Sequence, residues 1–178
     1  MRLRSLALST ILASAIPLAA LAGGAAEPSE LERTVTLMAR IGSCSSPSFS
    51  PDGERLAFVS NLSGLPQIWT VPSAGGWPEC VTAFDDPVAG VSWSPEGSWL
   101  AFSMAPGGGM NAQVYLVRPD GSGLRRLTDG GKENNRLGPW ARDGRRLALG
   151  SNRRSGAAID AYLYDVESNQ SRLVTENR

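Results

Sequence analysis

Ser48-Phe49-Ser50-Pro51-Asp52-Gly53 is written again as Ser92-Trp93-Ser94-Pro95-Glu96-Gly97 and, in altered form, as Pro139-Trp140-Ala141-Arg142-Asp143-Gly144. The aromatic at the second position (Phe49, Trp93, Trp140) recurs at intervals of 44 and 47 residues. Each copy leads into an apolar run, Leu56-Ala57-Phe58, Leu100-Ala101-Phe102 or Leu147-Ala148-Leu149. A third segment follows, Ile68-Trp69-Thr70-Val71, Val114-Tyr115-Leu116-Val117 or Ala161-Tyr162-Leu163-Tyr164, in residue types that suit a pleated, half-buried surface. A fourth closes on Val81-Thr82, Leu127-Thr128 or Val174-Thr175, each threonine fourteen residues beyond the first residue of the third segment. Four short strands repeated at this period are the signature of propeller blades, and the constant offset puts the outer two strands in register.

The turns account for the breaks between strands. Ser50-Pro51-Asp52-Gly53 and Ser94-Pro95-Glu96-Gly97 carry a side-chain acceptor first, proline second and glycine fourth, the grammar of a type I turn. Arg118-Pro119-Asp120-Gly121 follows the same rule between strands three and four, while Ser73-Ala74-Gly75-Gly76 relies on glycine and Glu167-Ser168-Asn169-Gln170 on asparagine. Each unit is therefore expected to be a four-stranded antiparallel meander, the chain as a whole an all-β propeller portion of three consecutive blades. The blades are expected over 47–84, 85–130 and 131–178.

In such a blade the turns after strands one and three share one face, and the connections after strands two and four share the other. The long connections, 61–66, 84–90, 105–112, 129–138 and 152–160, all fall on the second face. Irregular loops on a rigid scaffold are where binding residues concentrate. The richest polar cluster there is Lys132-Glu133-Asn134-Asn135, with Asp85-Asp86 in the equivalent connection one blade earlier. An acidic pair suits a peptide amino terminus and the amides suit extended backbone, so these six are the candidate peptide-contact residues. Solvated loops are the plainer alternative.

Composition narrows the chemistry. Lys and Arg together number 17, as do Asp and Glu, so no basic excess supports nucleic-acid binding. The pairs Arg125-Arg126, Arg145-Arg146 and Arg153-Arg154 read as solvated strand edges and turns. The sequence contains no histidine, which excludes a Ser-His-Asp triad, a His-ligated zinc and a His general base within these residues. It also lacks a Gly-x-Ser-x-Gly elbow, a Walker-type loop and paired metal-binding cysteines. No catalytic residue, metal or cofactor is therefore assigned. Gly107-Gly108-Gly109 lies between two strands without a following Lys-Ser/Thr and reads as a loop.

Arg2 and Arg4 precede an apolar stretch from Leu6 to Ala22, the layout of a secretory signal peptide over 1–22 with cleavage after Ala22 or, further on, Ala26. The mature protein is expected to be exported, periplasmic or secreted, with no stable membrane span. Residues 23–46 form a linker with a short helix over 30–41. Ser29-Glu30-Leu31-Glu32 reads as its capping box, and Leu31, Val35 and Met38 mark one face for docking against a propeller or partner domain. An oxidising compartment makes a disulfide between Cys44 and Cys80 one reading and two free thiols the other.

The Ser-Pro-Asp-Gly turns, their spacing and the Leu-Thr or Val-Thr endings resemble the WD40-like propeller repeats of the TolB type. The chain is most similar to the N-terminal propeller of exported bacterial serine peptidases of the prolyl oligopeptidase family. Pro47 to Val71, Gly75-Gly76-Trp77-Pro78, Ala83 to Pro87, Trp93 to Phe102 and Gly131 to Asn135 carry that likeness. In that family a propeller of about seven blades precedes an α/β-hydrolase domain bearing the Ser, Asp and His, and the propeller screens substrates by size. The resemblance implies that this chain gates or binds peptide without catalysis, beside further blades and a hydrolase domain.

Closed propellers take ~4 to 8 blades, so three blades are expected to be a portion of a longer gene product. A TolB-like exported scaffold that binds protein or envelope partners without hydrolysis is the alternative. A weaker third reading is carbohydrate binding through Trp69, Trp77, Trp93, Trp99 or Trp140. Trp93 and Trp140 hold the repeat's core position and belong to packing, which leaves Trp77 as the exposed candidate.

Overall fold

The computed structural model describes residues 29–39 and 42–178, so the signal peptide expected over 1–22 lies outside the described residues. The chain divides into two compact units, 1–40 and 41–178. In the first, α1 (Glu30–Ala39) starts from the expected capping box: Glu32 N donates to Ser29 Oγ at 3.2 Å and Ser29 N to Glu32 Oε2 at 2.6 Å. Leu31 and Val35 are exposed. No described helix is long and apolar enough to cross a membrane.

The second unit is three four-stranded antiparallel meanders. Blade 1 holds β1 (Cys44–Phe49), β2 (Arg55–Ser60), β3 (Gln67–Pro72) and β4 (Glu79–Cys80). Blade 2 holds β5 (Val88–Trp93), β6 (Leu100–Met104), β7 (Gln113–Val117) and β8 (Arg125–Arg126). Blade 3 holds β9 (Asn135–Trp140), β10 (Arg146–Ser151), β11 (Asp160–Asp165) and β12 (Gln170–Thr175). β1 begins three residues ahead of the blade start expected at 47, through a bulge between Ser45 and Ser48 with Ser46 at φ 51°.

Turn chemistry behaves as the residues dictate. Ser50 Oγ accepts Arg55 N at 2.9 Å, and the loop closes by Gly53 N donating to Ser50 O at 2.9 Å. The Ser94 turn repeats both contacts, with Trp99 N on Ser94 Oγ at 3.0 Å. In the third copy Ala141 has no hydroxyl, and Asp143 instead accepts Arg145 N at 3.0 Å and the Arg146 guanidinium at 2.6 Å. The fourth-position glycines sit at φ 73°, 76° and 68°, a conformation that a Cβ disfavours. Ser73 N reaches Glu54 O at 2.8 Å and Val166 N reaches Arg145 O at 2.8 Å, which sets the tight turns of one blade side by side.

Alternation along the strands gives every blade a bulky face and a small one. The bulky face of blade 2 (Val91, Trp93, Leu100, Phe102, Tyr115, Val117) packs on the small face of blade 1 (Ala57, Val59, Ile68). In turn Leu147, Leu149, Tyr162 and Tyr164 of blade 3, with Trp140 beside them, pack on Ala101, Val114 and Leu116 of blade 2. Main-chain and indole bonds stitch the same joints: Trp93 N donates to Ser48 Oγ at 2.9 Å, and Trp140 Nε1 to Ser92 O at 3.4 Å.

The two cysteines are free. Cys44 lies in the first strand and Cys80 in the fourth, on opposite edges of one sheet. Three strand spacings separate those edges by about 14 Å, against the ~7 Å that a bridge tolerates. Of the two readings, the meander therefore leaves two thiols. Burial raises the Cys80 thiol above its usual pKa, and its Sγ donates to Thr82 O at 3.0 Å.

Candidate functional site

The residue just before the third segment, Gln67 in blade 1 and Gln113 in blade 2, is buried and polar at the root of the long-loop face. Gln67 Oε1 accepts Thr82 Oγ1–H at 2.9 Å and Phe84 N–H at 3.0 Å, while its Nε2 donates to Phe84 O at 3.0 Å. Gln113 Oε1 accepts Thr128 Oγ1–H at 2.6 Å, Gly130 N–H at 3.1 Å and Asn135 Nδ2–H at 3.1 Å, and its Nε2 donates to Glu133 O at 2.9 Å. The threonine hydroxyls also accept Ile68 N at 2.9 Å and Val114 N at 3.2 Å, which is the physical content of the fourteen-residue offset.

Blade 3 departs from the pattern. The equivalent residue is Asp160, whose side chain is wholly buried. Asp160 Oδ1 accepts Asn177 N–H at 2.8 Å, and Arg154 binds the carboxylate through Nε at 2.6 Å and Nη2 at 3.1 Å. Arg154 Nη2 also donates to Asn177 O at 3.2 Å. The carboxylate thus takes the part of glutamine's oxygen and the guanidinium the part of its amide nitrogen. The Arg154 hydrogen bonds, and after them the Asn177 N–H, hold Asp160 below the ordinary carboxylate pKa.

The six expected contact residues divide. Asp86 is committed: its carboxylate accepts Gly107 N and Gly108 N at 2.7 Å each. Both glycines have positive φ, 69° and 66°, forming a concave pair of N–H groups that suits an anion. Asn135 is buried in the Gln113 network, and Asn134 N donates to Asn152 Oδ1 at 2.7 Å. Asp85 and Lys132 are exposed. Glu133 keeps Oε2 buried with no hydrogen-bond partner among the described residues.

Around Glu133 the structure adds residues that spacing did not reveal. A shallow groove of about 220 Å³ is lined by Lys132, Glu133, Asn152, Arg153 and Gly156. A cavity of about 10 Å³, room for roughly one water, lies between Asp129, Glu133, Ser151, Arg153, Tyr162 and Ser171. The Arg153 guanidinium stacks 3.9 Å from the Tyr162 ring centroid, donates to Ser171 Oγ at 3.0 Å and faces Asp129 at 4.0 Å. Arg125 lies 5.2 Å above the Trp99 ring and donates to Val166 O at 3.3 Å. The arginine pairs read as solvated edges therefore include three interlocked members, Arg125, Arg153 and Arg154. Of the five tryptophans, Trp77 is 88% exposed, whereas Trp93 is buried and Trp140 packs in the joint.

A family model described as the TolB beta propeller domain matches residues 33–178. The chain belongs to the TolB β-propeller family. A curated TolB-type relative, the Tol-Pal system protein TolB of Anaeromyxobacter dehalogenans, is 32% identical over 83 residues, 47% of this chain and 18% of that protein. Tricorn protease homolog 1 of Streptomyces coelicolor is 31% identical over 99 residues, 56% of this chain and 9% of the relative. The chain thus spans less than a fifth of either relative's length. Among solved structures, putative TolB from Agrobacterium tumefaciens superposes with a TM-score of 0.61 at 20% identity, over 74% of this chain and 48% of that one. That likeness shows the fold.

Proposed function

We propose that this chain is the non-catalytic propeller portion of an exported prolyl oligopeptidase-like serine peptidase, and that the Lys132–Glu133 groove contacts peptide. The observation that carries the reading is the groove itself: a carboxylate oxygen with no hydrogen-bond partner among the described residues, beside two cationic side chains, on the long-loop face of a rigid scaffold. Glu133 receives a peptide amino terminus, with Asp85 as a second acidic contact. Lys132 and Arg153 meet carbonyl or carboxylate oxygens. Likeness to a tricorn protease homolog supports the class. Further blades and an α/β-hydrolase domain are the partners this reading requires, and export follows from the segment 1–22.

Fluorescence anisotropy with labelled pentapeptides, free or acetylated at the amino terminus, tests the groove. Glu133→Ala and Lys132→Ala are expected to weaken binding of the free peptide at least tenfold, and acetylation to do the same in the unaltered protein. Equal binding by all three, or none at millimolar peptide, removes the proposal. The second reading, an exported TolB-like scaffold for envelope proteins, is favoured by the family match and by the Tol-Pal relative. Capture of a folded envelope protein by a chain that ignores short peptides would select it.

A further inference from the structure

A second groove lies on the tight-turn face, where the joint between blades 2 and 3 opens between their turns. It holds about 330 Å³ and is lined by Trp99, Arg125 and Glu96 of blade 2 and by Arg145, Val166 and Glu167 of blade 3. All six lie in or next to the turns that follow the first and third strands, so this groove is on the face opposite the Lys132–Glu133 groove. Both of its walls are blades of the second unit, packed on each other through Leu147, Tyr164 and Leu116.

The charges in this groove do not cancel in place. Arg145 and Glu167 face each other across 3.7 Å. Arg125 and Glu96 each lack an ion-pair partner within 4.0 Å among the described residues. Arg125 Nε is enclosed with no hydrogen-bond partner among them, while the guanidinium lies 5.2 Å from the Trp99 ring and donates from Nη2 to Val166 O at 3.3 Å. A second guanidinium, that of Arg118, lies over the same ring at 4.6 Å. The exposed Glu96 runs across Gly144, where a Cβ would meet Glu96 Cγ at 2.5 Å. The joint between blades 1 and 2 treats the same repeat positions differently. Arg55 and Glu79 stand where Trp99 and Arg125 stand, and they form an ion pair at 2.6 Å. Asp52 stands for Glu96 and accepts the Ser50 hydroxyl and Glu54 N–H. Charges that the first joint satisfies internally are thus left open in the second.

We propose that this groove binds a free α-amino acid, its carboxylate on Arg125 and its ammonium on Glu96. One groove that holds a guanidinium and a carboxylate apart, each without a counter-ion, complements a small molecule carrying both opposite charges. The planar guanidinium fork matches a carboxylate in geometry and charge. A simple anion would meet Glu96 and Glu167 as like charges, and a simple cation would meet Arg125 and Arg145, so the lining selects against both. Val166 and Trp99 supply the apolar wall for an aliphatic side chain. The volume lies at the small end of the ~300 to 1,000 Å³ that ligand pockets span, which suits one small molecule. The inference is independent of the peptide groove and holds for a peptidase or a scaffold.

Nitrogen-15 NMR of the full chain tests the site, the indole resonance of Trp99 being identified by its loss in Trp99→Phe. Titration with L-leucine is expected to shift that resonance to saturation. N-acetyl-L-leucine and L-leucinamide, which each lack one of the two charges, are expected to bind about tenfold more weakly. Glu96→Gln should erase the preference for leucine over N-acetyl-L-leucine, and Arg125→Gln the preference over L-leucinamide. If Arg125→Gln lowers the melting temperature by loosening the joint, the exposed Glu96→Gln decides alone. No shift at about 50 mM leucine, equal binding of leucine and N-acetyl-L-leucine, or unchanged affinity in Glu96→Gln would each overturn the proposal. So would a shift lost in Glu133→Ala and kept in Glu96→Gln, since the amino acid then sits in the other groove.

Discussion

Asp160 and Arg154 perform with two side chains what Gln67 and Gln113 each perform with one. Removing the guanidinium alone strands a carboxylate in the fold, which costs more than removing both charges together. Arg154→Ala is therefore expected to melt at a lower temperature than the double variant Arg154→Ala/Asp160→Gln, which restores the amide found in the other blades. Thermal denaturation of the two decides; the reverse order would refute the equivalence. Asp160 also has a folded pKa below the ordinary 3.8. Its contribution is thus fully present above that value and is lost as the pH falls through the folded pKa. The melting temperature is expected to drop below about pH 4, and Asp160→Asn to flatten that limb.

Positions that are equivalent in the repeat are not equivalent in energy, because a blade face counts only when covered. Trp93 is 8% exposed within the first joint, whereas Phe49 at the same place in blade 1 is 64% exposed. In dilute solution Trp93→Ala should lower the unfolding free energy by about 3 to 5 kcal/mol. Phe49→Ala should cost less than about 1 kcal/mol. Urea unfolding measures both, and equal costs would refute the argument. The strands themselves were legible because turn residues, aromatic anchors and the threonine offset fix register locally. Gln67, Gln113 and Asp160 were also in view at one repeat position, but the change of chemistry in blade 3 hid their common role. The Asp86 clamp was out of reach, since its partners Gly107 and Gly108 belong to a loop more than twenty residues away.

Across the second unit, protection from solvent is graded. Among the three described blades, blade 2 is the one with a blade on both faces, and its Leu100, Ala101, Val114 and Leu116 are fully buried, whereas five of the six residues of β12 are exposed. Hydrogen exchange read by mass spectrometry is expected to be slowest in β6 and β7 and fastest in β12; uniform exchange across the three blades would contradict this. Of the candidate groove, the sequence offered Lys132 and Glu133. It could not offer Asn152, Arg153 or Tyr162, which reach the same place only after blade 3 folds back against blade 2.

The carboxylate of Asp86 on the Gly107 and Gly108 amides bears on kinetics. A glycine-rich loop left to itself would have to be ordered by each arriving ligand, slowing encounter and weakening it. Here that freedom is lost once, during folding, and a visitor to the long-loop face meets a surface already set. Association there should follow a single exponential whose rate rises linearly with ligand concentration, without the saturating phase of a rearranging loop.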